Sequence, residues 1–230
     1  MALYNTSRKT YLTVYDGKFT RRVEEGTIGA VSRMTQPKKG EGKMVHELYF
    51  SNLSGKITDI YTRDGAYGKT WNIDINDGTE KYSLQFGYSD GLAIAFLKML
   101  PNVNLDEDVV FSISKKFDPK DNKEKTSLFL NQNNEPIKHA FTMALPNGLP
   151  EMKMVVVNGE EKWDSTERLA FLQNMVDTQI LPKLNREPST GNEVVADAVK
   201  SGKPFPTEFS DFDAPKDESH LDIDPDDIGF

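Results

Sequence analysis

Gly-containing turn pairs punctuate residues 10–87 at short, regular intervals, and this spacing constrains the fold more than any other feature of the chain. The pairs are Asp16-Gly17, Ser54-Gly55, Asp64-Gly65 and Asp77-Gly78. Between them lie short runs in which apolar and polar residues alternate, the period of a half-buried strand. Residues 10–34 open with Tyr-Leu-Thr-Val-Tyr, then Asp16-Gly17, then Lys-Phe-Thr-Arg-Arg-Val. Asp-Gly between alternating runs predicts a hairpin with a type I′ turn. Further strands are predicted at about 44–52, 56–63, 69–76 and 80–87. Such a series is an antiparallel meander, which closes as a barrel or stacks as a sandwich.

The period changes after Ser89-Asp90-Gly91. Leu92, Ile94, Ala95, Phe96, Leu97, Met99 and Leu100 crowd a short segment that Pro101 ends. This predicts an apolar helix that plugs a core. Strand pattern returns at 108–117 and 125–131, around the polar tip 117–125. Three strands, a plugging helix and two strands is the order of an OB-fold, a small five-strand barrel. The expectation is therefore a mainly β domain: an OB-fold-like five-stranded antiparallel barrel with an added N-terminal hairpin. Residues 35–43 read as a basic loop, 132–150 as loop and 152–157 as a strand. Leu169, Leu172, Met175, Val176 and Ile180 follow the capping-box-like Asp164-Ser-Thr-Glu167 at helical spacing, predicting a C-terminal amphipathic helix over 164–181.

Charge divides the chain unevenly. Residues 204–230 hold nine acids and one base, a net charge of -8, which is the net charge of the whole protein. The other 203 residues carry 27 bases and 27 acids. A neutral body bearing a segregated acidic segment differs physically from a uniformly acidic protein. From Arg186 the chain is rich in Pro, Gly, Ser and acid. The expected organisation is one folded domain over 1–185 and a disordered acidic tail over 186–230. Phe205, Phe209, Phe212, Leu221, Ile223, Ile228 and Phe230 are spaced through that tail. A pure solubiliser would avoid them, so a recognition tail is favoured over a merely solubilising one.

Several chemistries find no support. There is no Cys, so disulfides and thiolate zinc ligation are excluded. His46, His139 and His220 are far apart, and neither a metal site nor a cofactor is expected. No Gly-rich phosphate loop precedes a helix. Asp222, Asp224 and Asp226 share the spacing of a calcium loop, but Asp227 stands where that loop needs Gly. No apolar signal segment or membrane span is visible, which predicts a soluble cytoplasmic protein.

Single-strand binders track the nucleic-acid backbone with basic side chains and stack bases on aromatic rings. On several predicted strands the face opposite the aliphatic one carries rings or cations. Tyr11 and Tyr15 oppose Leu12 and Val14, Tyr49 opposes Leu48, Tyr61 and Arg63 oppose Ile60, and Phe129 opposes Leu128 and Leu130. Lys38, Lys39, Lys43, Lys69, Lys115, Lys116 and Lys125 fall on loops or strand ends. These are the candidate nucleic-acid contacts. Trp71 joins them by its place near a strand start, although its parity with Ile73 and Ile75 argues for the core.

The ending Asp226-Asp227-Ile228-Gly229-Phe230 resembles the tail of bacterial single-stranded DNA-binding proteins, which end in several Asp followed by Ile-Pro-Phe. That family's tail recruits replication and repair proteins and competes with DNA for the protein's own groove. By position Asp226, Asp227, Ile228 and Phe230 match the docking motif, while Gly229 replaces its Pro. The added hairpin and C-terminal helix look more like the larger single-strand binders encoded by phages. The resemblance implies a non-enzymatic single-stranded DNA binder acting in replication, recombination or repair, with self-association as a further expectation. The alternative is a protein-binding adaptor or structural β domain with a solubilising tail.

Overall fold

The structure, a computed structural model, describes residues 9–35, 41–65, 68–119, 122–157 and 160–184. The expected hairpin is present. β1 (Thr10–Tyr15) and β2 (Lys18–Val23) are joined by Asp16 and Gly17 at φ 50° and 69°, the paired positive values of a type I′ turn. β3 (Val31–Met34) and β4 (Met44–Phe50) follow, then the long β5 (Asn52–Gly65), β6 (Gly68–Asn76) and β7 (Lys81–Gly87). After α1 (Gly91–Met99) come β8 (Val109–Asp118), β9 (Lys123–Gln132) and the two-residue β10 (Glu135–Pro136).

These ten strands form one mixed sheet in the order β10-β9-β8-β5-β6-β7-β1-β2-β4-β3. The mainly β class holds. The closed, all-antiparallel, five-strand barrel does not, because the sheet is open. The physical reason lies at β7. Its outer edge is taken in parallel by β1, with Thr10, Tyr11 and Leu12 opposite Tyr82, Ser83 and Leu84. No edge remains there for β9. The wall is completed by side chains instead. Phe19 of β2 is fully buried in the common core, and Lys115 of β8 donates to Asp16 at 2.6 Å. A Cβ on Gly17 would stand 2.5 Å from the Lys115 Cβ, so only Gly permits this approach.

α1 plugs the core as its composition requires. Asp90 caps it, its Oδ1 accepting from the Leu92 amide at 3.0 Å, and Leu92, Ala93, Phe96, Leu97 and Met99 are buried. Burial raises the pKa of the Asp90 carboxyl, opposed by the hydrogen bond from Leu92. Phe96 stacks on Phe111 of β8 at 6.1 Å. Each fully buried side chain of this size contributes roughly 1.5–3 kcal/mol.

The C-terminal helix, α2 (Thr166–Met175), runs on through a π turn at Val176–Ile180. It buries Leu169, Leu172, Met175, Val176 and Ile180, the predicted face. Its start differs from expectation by two residues. Asp164 ends a strand, β12 (Glu160–Asp164), that pairs with β11 (Lys153–Val157) as a separate two-stranded ribbon. Asp164 accepts from the Thr166 amide and hydroxyl, so the cap comes from outside the helix. Gln173 ties α2 to the sheet, accepting from Lys69 at 2.9 Å and from the Tyr88 hydroxyl at 2.7 Å. Among the described residues no helix is long and apolar enough to cross a membrane. The predicted acidic tail lies outside the described residues.

Candidate nucleic-acid interface

Strand pleating assigns every side chain of the sheet to one of two faces. Leu12, Ile60, Ile73, Leu84 and Phe111 point to the core. The ladder registers bring Tyr61 and Arg63, Asn72 and Asp74, Ser83 and Gln85, then Tyr11, Thr13 and Tyr15 onto the opposite, outer face, where the short Asn72, Asp74 and Ser83 are themselves buried. The same face continues through Lys18, Thr20 and Arg22, Glu47 and Tyr49, and Arg33. Beyond β5 it carries Lys116, Lys125 and Phe129. The sequence placed Tyr11, Tyr15, Tyr49, Tyr61, Arg63, Lys116, Lys125 and Phe129 among the contacts, and one sheet face holds them all.

Two clusters organise this face. In the first, Lys9 donates to Asp74 Oδ2 at 2.6 Å and lies 5.7 Å from the Tyr61 ring centre. Burial works against the Lys9 ammonium, but the hydrogen bond and charge of Asp74 outweigh it and raise its pKa. Burial, and then the charge of Asp74, push the Tyr61 phenol up. In the second, Glu47 is only 1% exposed on a solvent-side face. It accepts two bonds from the Arg33 guanidinium, Nε at 2.8 Å and Nη2 at 3.0 Å, and Arg22 stands 3.9 Å away. Arg33 in turn lies 3.8 Å over the ring of Tyr15. Tyr15 and Tyr49 remain 44% and 36% exposed, with Arg33 over one face of the Tyr15 ring. Burial and then the Glu47 charge raise the Tyr49 phenol, keeping it neutral.

The charge on this face resolves the neutral composition. Its strands carry Lys18, Arg22, Arg33, Arg63, Lys81, Lys116 and Lys125. The acids on the same face are Asp59, Asp74, Glu47 and Asp118, while Asp64, Glu124 and Glu135 of these strands have the opposite parity. Ion pairs join Lys9 to Asp74 at 2.6 Å, Arg33 to Glu47 at 2.8 Å and Lys125 to Asp118 at 2.8 Å. A neutral body can thus present one cationic face.

Other predicted contacts have different employment. Trp71 is 2% exposed and stacks on Tyr88 at 5.7 Å, so it belongs to the core and cannot stack a base. Lys69 sits 4.5 Å over the Tyr88 ring and binds Gln173, holding α2 in place. Lys115 has core-side parity and closes the wall through Asp16 and Glu124. Lys125 keeps its outer position but is paired. Lys43 is exposed beside Thr35, whose hydroxyl accepts from its amide at 2.8 Å. Lys38, Lys39, Asp226, Asp227, Ile228 and Phe230 lie outside the described residues.

Sequence reasoning missed Lys9, Lys18, Arg22, Arg33 and Glu47. The alternation in Val31-Ser-Arg-Met34 was a usable signal for Arg33. Nothing local marks Glu47, whose partners come from other strands. Trp163 was also missed: on the β11–β12 ribbon it pairs with Met154 across the strands, and both are about half exposed.

One cavity competes for attention. About 510 Å³ opens between Arg21, Phe50, Leu53, Asp77, Glu80, Tyr82 and Asp108. Bonds from the Glu80 and Thr79 amides hold the Asp77 carboxyl down at about 2. Burial, then the bond to Asp77, push the Tyr82 phenol up to about 12. Its carboxylate rim would repel a polyanion, which favours the outer face as the interface. Among the described residues no group of three or more His, Asp or Glu side chains is arranged to hold a metal ion. In comparisons with known proteins, no family model, no curated protein and no solved structure matches this chain.

Proposed function

We propose that this chain is a non-enzymatic single-stranded DNA-binding protein that lays the strand across the outer face of its sheet. The observation that carries this reading is the interleaving of Tyr61, Tyr11, Tyr15 and Tyr49 with Lys18, Arg22, Arg33 and Arg63 on one face. Rings accept bases of any sequence, and the cations follow the phosphates. The order β9-β8-β5-β6-β7, with α1 between β7 and β8, supports an OB-like reading in which β6 and β7 are the second and third strands, the face such folds use. The acidic segment fits a role in recruiting replication or repair proteins through Asp226, Asp227, Ile228 and Phe230, and in competing with DNA for the cationic face.

Parallel titrations with single-stranded DNA, duplex DNA and single-stranded RNA test the reading. Binding to single strands should depend little on sequence and fall steeply with salt, with a slope of about 0.7 per phosphate contact. Preference for one short sequence, or indifference to salt, would sink it. Removing residues 204–230 should tighten binding, most at low salt where screening is weak. Loss of Phe230 alone should leave DNA affinity unchanged while abolishing docking to a partner.

One observation favours the adaptor reading. Met154, Val156 and Trp163 expose an apolar face on the β11–β12 ribbon at 50%, 69% and 44%. Such a face suits protein contact better than DNA, because Glu161 shares it. If protein partners bind there and no nucleic acid is bound, the adaptor reading stands alone.

A further inference from the structure

The ten-stranded sheet has two free edges, and they differ. One is β10, two residues long, with Pro136 lacking an amide donor, together with the stretch of β9 from Lys123 to Phe129 that β10 leaves uncovered and that Lys123, Glu124 and Lys125 charge. Pro and this cluster of charges protect such an edge from templating another strand. The other is β3, Val31-Ser-Arg-Met34, which among the described residues pairs only with β4. It has no Pro, no Lys and no bulge, the usual protections of an edge. Its one charge, Arg33, is turned onto Glu47 and away from the free side. Val31 and Met34 are left 48% and 54% exposed along it.

The ladder to β4 fixes which groups of β3 point outward. Thr35 donates its amide to the Lys43 carbonyl at 2.8 Å. Residues of the same parity, Val31 and Arg33, therefore face β4. Ser32 and Met34 direct their amides and carbonyls to the free side.

We infer that β3 is the self-association edge of the protein, pairing antiparallel with β3 of a second copy about a two-fold axis at Ser32. In this register Ser32 exchanges both backbone bonds with its symmetry mate. Val31 lies opposite Arg33 and Met34 opposite Ala30. A two-fold centred on Arg33 is disfavoured because it would set two guanidinium groups face to face. The pairing covers the exposed Val31 and Met34 and is isologous. Pro136 and the charged stretch of β9 beside it oppose growth beyond a dimer. Both copies turn the same face outward, so the tyrosine and cation surface runs on across the axis. Only that last consequence rests on the nucleic-acid reading.

The absence of native Cys gives a clean test on the full-length chain without nucleic acid. Opposed Cα atoms in such a pair lie about 5.5 Å apart, within disulfide reach. Ser32→Cys should yield a disulfide-linked dimer on mild oxidation, and the exposed control Ser89→Cys should not. Sedimentation should give a dimer mass for the native chain and a monomer for Ser32→Pro, whose lost amide points away from β4 and is not needed by the fold. A native monomer at the highest workable concentration overturns the inference. So does a dimer that Ser32→Cys fails to link or that Ser32→Pro leaves intact. Because no DNA is present, failure here leaves the binding reading standing.

Discussion

The Arg33–Glu47 pair separates what holds the fold from what would hold a strand of DNA. Glu47 is 1% exposed and takes two bonds at 2.8 and 3.0 Å, while the Arg33 side chain is 17% exposed. Glu47→Leu leaves a half-buried guanidinium without its carboxylate, and Arg33→Met leaves a buried carboxylate with only the more distant Arg22 at 3.9 Å. Breaking such a pair from one side costs about 3–5 kcal/mol. Arg33 keeps some contact with water, which puts Glu47→Leu near the lower figure. For a domain of this size roughly 3 kcal/mol lowers the melting midpoint by about 6–12 °C. Replacing both partners removes the stranded charge, so the Glu47→Leu/Arg33→Met double variant should melt close to the native protein. Its DNA affinity should nevertheless fall. The cation is gone, and Tyr15 has lost the group 3.8 Å above its ring. The salt slope should become shallower by about 0.7, one phosphate contact. Thermal melting and salt-dependent titration of the three variants decide the matter. A double variant as unstable as the single ones would refute the energetic reasoning. A stable double variant with unchanged affinity and slope would remove Arg33 from the interface.

Tyr15→Ala and Tyr49→Ala should each weaken single-strand binding by roughly 1–3 kcal/mol with little change in melting, and Phe at either position should restore most of it. Trp71→Ala should do the reverse, costing about 3–5 kcal/mol of stability, and any quenching of tryptophan emission by DNA must come from Trp163. Asp77 titrates in the fold at about 2, below its ordinary 3.8, so what it adds to stability is complete above about pH 4 and drains away as pH falls towards 2; Asp77→Asn should flatten the acid limb of a stability profile in that window. Tyr82 is displaced upward to about 12, so its contribution is intact below pH 10 and is lost as pH rises through 12, which tyrosinate absorbance can follow. Gly17→Ala sets a methyl 2.5 Å from Lys115 Cβ at a positive φ and should cost of order 1–3 kcal/mol; urea melts that match the native protein would show that the hairpin tip does not seal the wall.

Local rules carried the sequence reading as far as local rules can. Asp16-Gly17, Asp90 with its apolar helix, and the Leu169–Ile180 stripe each encode their geometry within a few residues, and each formed where expected. Trp71 was legible too, because its parity with Ile73 and Ile75 already assigned it to the core. The parallel pairing of β1 with β7 was not, since Leu12 meets Leu84 across 72 positions and either edge partner satisfies the same alternation. The lysines failed for a related reason. Lys69 meets Gln173 and Lys115 meets Asp16, partners 104 and 99 positions away, so a pattern of free surface cations concealed structural pairs. β12 was hidden because Glu-Glu-Lys-Trp-Asp offers a single apolar residue to mark a period.

The hairpin that defeated the barrel expectation also ties stability to the interface. Leu12 and Phe19 face inward from β1 and β2 and are 3% and 0% exposed, while Tyr11, Tyr15 and Lys18 leave the same two strands on the other side. A one-residue slip of β1 against β7 would exchange these faces, burying phenols and exposing leucine. The burial of Leu12 and Phe19 therefore fixes the register that presents the tyrosines. Two classes of variant follow from this pleat. Core changes such as Phe19→Leu should loosen the hairpin and weaken binding and stability together. Outward changes such as Tyr15→Ala should weaken binding alone. If Phe19→Leu lowered the melting point while leaving single-strand affinity untouched, the strand would not be lying on this hairpin, and the interface would have to be sought around Arg63, Lys116 and Phe129.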